Sequence, residues 1–236
     1  MAKRFYTDVT VDHDADGHFV RLDGRELKTP GKQPIRVPHA AIAAQIKAEW
    51  SAVPQAIDGD IDPTVMPVTR LANVASEGVS QRRDELIAEA RKYAGSDLLS
   101  YRAPDPQDFV ARQAAAWNPW LDWARARGVA LETTDSIRAI EQDPTSLDAV
   151  ADYATPLSDF ALTLFVHLVA VYGSAVLAMA VIDGALDPAE AFDLSRIDEL
   201  YRSEIWGVDE DDERVRLALR TETETLGKLA IYFKTI

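Results

Sequence analysis

The sequence predicts an α+β protein, with a small mixed N-terminal domain (a β-meander plus a helix) followed by a larger all-α domain. Three observations carry this. Gly17, Gly24 and Gly31 separate short alternating segments, long helical periods begin beyond Met66-Pro67, and Gly or Pro stands at the edges of those helices. The change of texture puts the domains at 1–72 and 73–236, and 47% apolar residues is ample for a core.

In the first domain, residues 5–11, 19–22 and 27–37 read as the strands of successive hairpins. From Pro38 the period becomes helical, and Ile42, Ile46 and Trp50 recur every four residues, so Trp50 closes an apolar stripe. Pro54, Pro63 and Pro67 then punctuate an extended stretch. In the second domain, helices are predicted over 80–94, 106–128, 147–153, 156–184, 188–206 and from 212 onward. Asn118-Pro119 either kinks the helix over 106–128 or caps a new one whose first residue is Pro119. The apolar run 160–182 has 23 residues and would reach roughly 34 Å as one helix at ~1.5 Å per residue, enough for a bilayer. His167, Tyr172 and the Gly173-Ser174 step interrupt it, and Asp159 and Asp183 flank it where a membrane span would carry Lys or Arg. It reads as a central core helix, or two meeting near Gly173.

Charge narrows the function classes. Of the formal −14, residues 1–72 hold 9 Lys/Arg against 10 Asp/Glu, whereas residues 73–236 hold 16 against 29, a net −13. Such a field repels phosphate backbones and anionic lipid heads and favours basic or apolar protein partners, so neither nucleic-acid binding nor membrane insertion is expected. With no cysteine there is no disulfide, thiolate nucleophile or Cys-ligated zinc. Lys3-Arg4-Phe5-Tyr6 leads directly into a strand pattern without an apolar signal segment, so the cytoplasm is the expected compartment. No glycine-rich dinucleotide loop, phosphate cradle or Gly-x-Ser-x-Gly elbow occurs. No cofactor or small-molecule substrate is therefore expected, and His167 reads as a hydrogen-bonded core histidine.

Asp12, Asp14, Asp16, Gly17 and Asp23 occupy positions one, three, five, six and twelve of a calcium-binding loop. Against calcium stand Asp in place of the final bidentate Glu, flanks that alternate like strands, and the lack of a second loop. An Asp/Gly-rich hairpin turn uses the same residues. A calcium-binding regulatory module is kept as an alternative, with no metal as the expectation.

Residues 198–213 pack eight acids against one base around Trp206-Gly207. On a helix over 194–206, Leu194, Ile197, Leu200, Tyr201 and Ile205 form the apolar stripe, while Glu199, Arg202 and Trp206 lie roughly opposite. That places a Trp on the wet side beside carboxylates, as interface anchors are placed; the other reading folds Trp206 back into the core. Glu204 falls within the stripe and needs a basic or hydrogen-bonding partner if it is buried. Paired carboxylates at Asp198, Glu199 and Glu204 leave an acid/base hydrolase as a further alternative. Trp117, Trp120 and Trp123 share one helix face, as core or domain-interface residues or as an aromatic groove for an apolar peptide.

The punctuation also resembles a known family. Lys3-Arg4-Phe5-Tyr6, Leu22-Asp23-Gly24-Arg25, Lys28-Thr29-Pro30, Glu49-Trp50 and Met66-Pro67 stand in the order found in the assembly chaperones for the alpha subunit of F-type ATP synthase. Ser96-Asp97-Leu98-Leu99 with Tyr101-Arg102, Gln113 with Trp117, Pro119 and Trp123, and Leu194-Ser195-Arg196 leading to Trp206-Gly207 continue the series. The resemblance implies a non-catalytic chaperone that holds the free alpha subunit until the beta subunit takes its place. It implies an important acid in the helix before Trp-Gly, at Asp198 or Glu199, with Arg202 and Trp206 on the same partner-binding segment. Trp50, Asp97, Arg102, Trp117 and Trp123 come across as family-motif or structural positions. Arg202 departs from the family's usual Gln, and the tail after Gly207 matches poorly. Mitochondrial members carry a presequence, absent here, so a bacterial cytoplasmic member is implied.

Overall fold

The computed structural model describes residues 3–54, 60–136 and 138–233. It is α+β, a three-stranded antiparallel sheet followed by ten α-helices among the described residues. The chain divides into two units, Met1–Arg82 and Arg83–Ile236.

In the first unit, β1 (Val9–Asp14) and β2 (Gly17–Leu22) form a hairpin in the register Val9↔Leu22 to Asp14↔Gly17. The turn needs Gly17 twice over: its φ is +140°, and a Cβ there would meet the Val37 carbonyl oxygen at 2.8 Å. The first strand starts at Val9 and not at Phe5, because Asp23 accepts from the Thr7 and Asp8 amides at 3.0 and 2.8 Å and holds that stretch in a side-chain cap. The segment expected to be a strand over 27–37 yields only β3 (Arg25–Glu26) and the isolated bridges Lys28↔Pro34 and His18↔Val37. Pro30 and Pro34 lack the amides a ladder needs, and Thr29 and Gln33 close a turn instead. Helix α1 (Ala40–Ala52) buries Ile42, Ala43 and Ile46.

Directly after the Pro-punctuated stretch comes α2 (Pro67–Ser76), ahead of the first helix predicted beyond Met66-Pro67 and with Pro at its first position. Its free amides are taken by Glu49, which accepts from Val68 N and Thr69 N at 2.7 and 2.8 Å and from the Thr69 hydroxyl at 2.6 Å. This carboxylate from α1 fastens α2 into the first unit, which runs to Arg82, past residue 72.

The second unit comprises α3 (Arg83–Ala94), α4 (Gln107–Arg125), α5 (Pro144–Ala154), α6 (Asp159–Tyr172), α7 (Ala175–Ile182), α8 (Pro188–Ser195), α9 (Ile197–Trp206) and α10 (Glu210–Gly227). The long apolar run is two helices, α6 and α7, meeting at Gly173 in the left-handed region at φ +64°. Ser174 then caps α7, accepting from Leu177 N at 3.1 Å. Every residue of α7 is buried, so this run is the core of the unit, and no described helix is long and apolar enough to cross a membrane. Helix α4 continues through Pro119 without a new cap. The helix expected over 188–206 is broken at Arg196, whose φ of −117° and ψ of 14° end α8 and start α9.

Candidate functional site

The site is built from the root of α9 outward. Asp97, fully buried, accepts from Leu99 N at 3.0 Å and from Val176 N at 3.2 Å, so one carboxylate ties the turn after α3 to the start of α7. Burial pushes its carboxyl up to about 6, against the amides and the Ser174 hydroxyl that pull it down. Arg102 donates to Leu99 O at 2.9 Å, Gln113 O at 3.2 Å and Asn118 Oδ1 at 3.0 Å, with its guanidinium 5.1 Å from the Trp117 ring. Gln113 is buried within α4 and uses both ends of its amide: Oε1 accepts from Ala103 N and Nε2 donates to Asp198 Oδ1, each at 2.8 Å. Trp117, fully buried, donates from Nε1 to Leu194 O at 2.9 Å, pinning the end of α8 just before the break. Arg196 at the break donates to Val171 O at 2.9 Å and lies 4.9 Å from the Phe192 ring.

Helix α9 lies with one face on α4. Tyr201 stacks on Phe109 with ring centroids 4.1 Å apart, and Glu204 receives both its bonds from Arg112, at 2.8 and 2.9 Å. Glu204 thus has the basic partner its position demands, but at the surface. Ile205, expected in the buried stripe, is 54% exposed, and the described contacts of α9 with α4 run through Asp198, Tyr201 and Glu204 instead. Trp206 is 74% exposed, on the wet side as the periodicity predicts. The two candidate acids separate. Asp198 is half-buried and bonded to Gln113, whereas Glu199 is exposed and lies 3.6 Å from Arg196. Arg202 donates to the Asp198 carbonyl at 3.2 Å.

Gly207, with φ +86° and open space around it, turns the chain into α10, whose first amides are capped by Asp209. The outer residues Glu199, Arg202, Ser203 and Trp206 of α9 then face Asp212, Val215, Arg216 and Leu219 of α10 across a groove of about 690 Å³. Val208 and Val215 beside it are 56% and 63% exposed. Neither belongs to the motif series of the sequence, and the local signal for them is an apolar residue set in an acid-rich segment. Arg112 and Phe109, the supports of α9 on α4, offered no such signal, since partners 92 residues apart are invisible to local periodicity.

Other predicted positions lie elsewhere. Trp123 is half-buried under Arg127, 3.8 Å from its ring, and Trp120 meets it edge-on at 6.4 Å. Trp50 in the first unit packs against Tyr6 at 5.6 Å. The aspartates of the calcium-like series belong to the hairpin: Asp12 bonds Arg21 at 3.0 Å, Asp14 bonds Arg36 at 2.8 Å, Asp16 sits in the turn and Asp23 caps residues 7 and 8. Among the described residues no three or more His, Cys, Asp or Glu side chains are grouped to hold a metal ion.

The site is thus a short helix rooted by Gln113 and Trp117 that presents an exposed Trp beside a groove lined by carboxylates and arginines. Comparison with known proteins gives its kind. The family model described as ATP12 chaperone protein matches residues 3–125, more than half of the chain. Mitochondrial atp12 of Schizosaccharomyces pombe is 21% identical over 225 residues, covering 90% of this chain and 76% of that protein. The crystal structure of Atp12 from Paracoccus denitrificans is 38% identical with a TM-score of 0.88, covering 99% of both chains. A variant of that protein with one aspartate replaced by lysine matches with the same TM-score and identity, over 99% of this chain and 98% of that one. The Atu1473 protein of Agrobacterium tumefaciens is 34% identical with a TM-score of 0.88, over 98% of this chain and 85% of that one. The chain belongs to the ATP12 chaperone family, whose members act in ATP synthase assembly.

Proposed function

We propose that this protein is a non-catalytic chaperone that binds the free alpha subunit of F-type ATP synthase and prevents its aggregation until the beta subunit takes that place. The observation that carries the reading is the groove between α9 and α10, where Trp206 and Val215 are exposed beside Glu199 and Asp212 in a chain of net charge −14. An apolar surface left open on a well-packed unit is kept for a partner, and a free subunit with unburied interface needs such a cover. Asp198, Glu199, Arg202 and Trp206 are its contact segment. The two acids divide the work: Asp198, bonded to Gln113, sets the pitch of α9, and Glu199 meets the partner. The compartment on this reading is the bacterial cytoplasm.

The hydrolase reading is not favoured, since each of its three carboxylates has a separate local partner: Asp198 has Gln113, Glu199 has Arg196 and Glu204 has Arg112. The test is light scattering of purified alpha subunit at its aggregation temperature. Near-stoichiometric amounts of the protein should suppress the rise, and unaltered scattering would overturn the proposal.

A further inference from the structure

In the second unit Tyr93 and Ile231 are exposed singly, and the other exposed large apolar residues described there gather in one segment. Its exposed large apolar residues include Ile205, Trp206, Val208, Val215 and Leu217, all within 13 positions of one another. This clustering is not a loose end of chain. Asp209 caps α10, Arg220 of α10 holds Asp193 of α8 through two bonds of 2.8 Å, and α9 is clamped to α4 by the Tyr201–Phe109 stack and the Arg112–Glu204 pair, so Ile205, Trp206, Val215 and Leu217 stand on two formed helices with Val208 in the turn between them.

The two walls also match in spacing. Residues 199, 202, 203 and 206 of α9, and 212, 215, 216 and 219 of α10, each follow the i, i+3, i+4, i+7 order of a single helix face. Two such faces meeting at an angle leave a trough lined by ridges, and a third helix fits a trough of this kind through apolar side chains of the same period.

Charge decides which helix. Residues 198–216 carry eight acids and three bases. Arg214 and Arg216 are paired to Asp211 at 3.2 Å and Glu213 at 2.6 Å. Asp212, which lines the groove, forms no ion pair among those described. Arg196, Arg202 and Arg216 also line the trough, against Glu199, Asp209, Asp212 and Glu213, and the excess of acid there adds to a chain of net charge −14, so an incoming side chain meets Trp206, Val215 and Leu219 in a field that is negative on balance.

We infer that the α9–α10 groove takes a basic amphipathic helix of its client, with apolar residues at i, i+3, i+4 and i+7 seated against Trp206 and Val215, and Lys or Arg flanks against Glu199 and Asp212. This rests on the chaperone reading above and names the recognised feature: a helical, basic stripe, in place of general unfolded apolar chain.

The experiment uses the full chain and three synthetic labelled peptides: a Leu/Lys helix of that period, a scrambled peptide of identical composition, and a Leu/Glu helix. Fluorescence anisotropy should show the periodic Leu/Lys helix binding at least tenfold more tightly than the scramble, with the Leu/Glu helix not binding. Trp206→Ser with Val215→Ser should weaken that peptide at least tenfold while the circular dichroism melt stays in place, since both side chains are exposed. Equal binding of the scramble, or no effect of the double variant, overturns the inference, because plain charge attraction is then enough. Concentration-dependent dimerisation that the double variant abolishes also overturns it, in favour of a second copy as occupant. The same variant in the alpha-subunit scattering assay separates the two levels. Lost protection without peptide binding refutes only the helical basic motif, whereas specific peptide binding with full protection supports the groove chemistry and refutes its role in chaperoning the alpha subunit.

Discussion

Asp97 gives the sharpest test of how the second unit is held. The carboxylate is fully buried, accepts from Leu99 N and Val176 N, and is pushed from its ordinary 3.8 up to about 6 by burial. The folded chain therefore holds this proton more tightly than the unfolded chain. Its stabilising contribution is full below the unfolded value and is lost as pH rises through about 6. At ~1.36 kcal/mol per tenfold the whole gap is about 3 kcal/mol, of which about 2 kcal/mol falls between pH ~7.5 and pH ~4.5. Asp97→Asn keeps the shape, cannot titrate there, and shares every other ionising group with the wild type. Urea unfolding followed by far-UV circular dichroism at both pH values gives the difference between the two proteins. The wild type should gain about 2 kcal/mol on the variant in going to the lower pH. An unchanged difference would refute the reasoning. A loss would show that the amides at the start of α7 outweigh burial and keep the group ionised, with its folded value below 3.8.

Four further outcomes are expected. Glu199→Lys should leave the melting curve unchanged but weaken protection of the alpha subunit in the scattering assay, whereas Asp198→Lys should also lose about 1–3 kcal/mol because Gln113 Nε2 is left without its acceptor. Trp50→Arg should cost about 1–3 kcal/mol, since the half-buried ring packs on Tyr6 below the buried Ile42 and Ile46; a wild-type thermal melt would contradict this. Trp117→Phe should cost about 1–3 kcal/mol by urea titration through loss of the bond to Leu194 O. Calcium should give no heat in calorimetric titration, because Arg21, Arg36 and the Thr7 and Asp8 amides already hold the hairpin aspartates.

Much of the architecture was legible wherever a single local rule governs. Gly173 and Ser174 announce the α6–α7 break through a left-handed residue and a cap, and the period of 42, 46 and 50 announces α1. Legibility ended where a distant partner decides. Helix α2 is capped by Glu49 reaching its first amides across 19 positions, so a helix stands over 67–76 where the predicted helices begin only at 80. Arg196 breaks an apparently continuous helix because its guanidinium is drawn to Val171 O, 25 positions away. At the site, periodicity placed Trp206 outside but could not separate Asp198 from Glu199. That distinction belongs to Gln113 on another helix, and only geometry supplies it.

Gly227, at the last turn of α10, is where that helix crosses closest to α8. A Cβ there would lie 2.5 Å from Pro188 Cβ and 2.7 Å from its Cγ. The buried residues of α10 are Thr223, Leu226 and Gly227, all at this end, while Asp212 and Val215 stand free at the other. The helix is thus mounted like a beam fixed at one end. From Gly227 to Asp212 is roughly 22 Å at ~1.5 Å per residue. A methyl group added at the mounting would therefore tilt the far wall of the groove without touching any residue that lines it, so the aperture is gauged at a point remote from the opening.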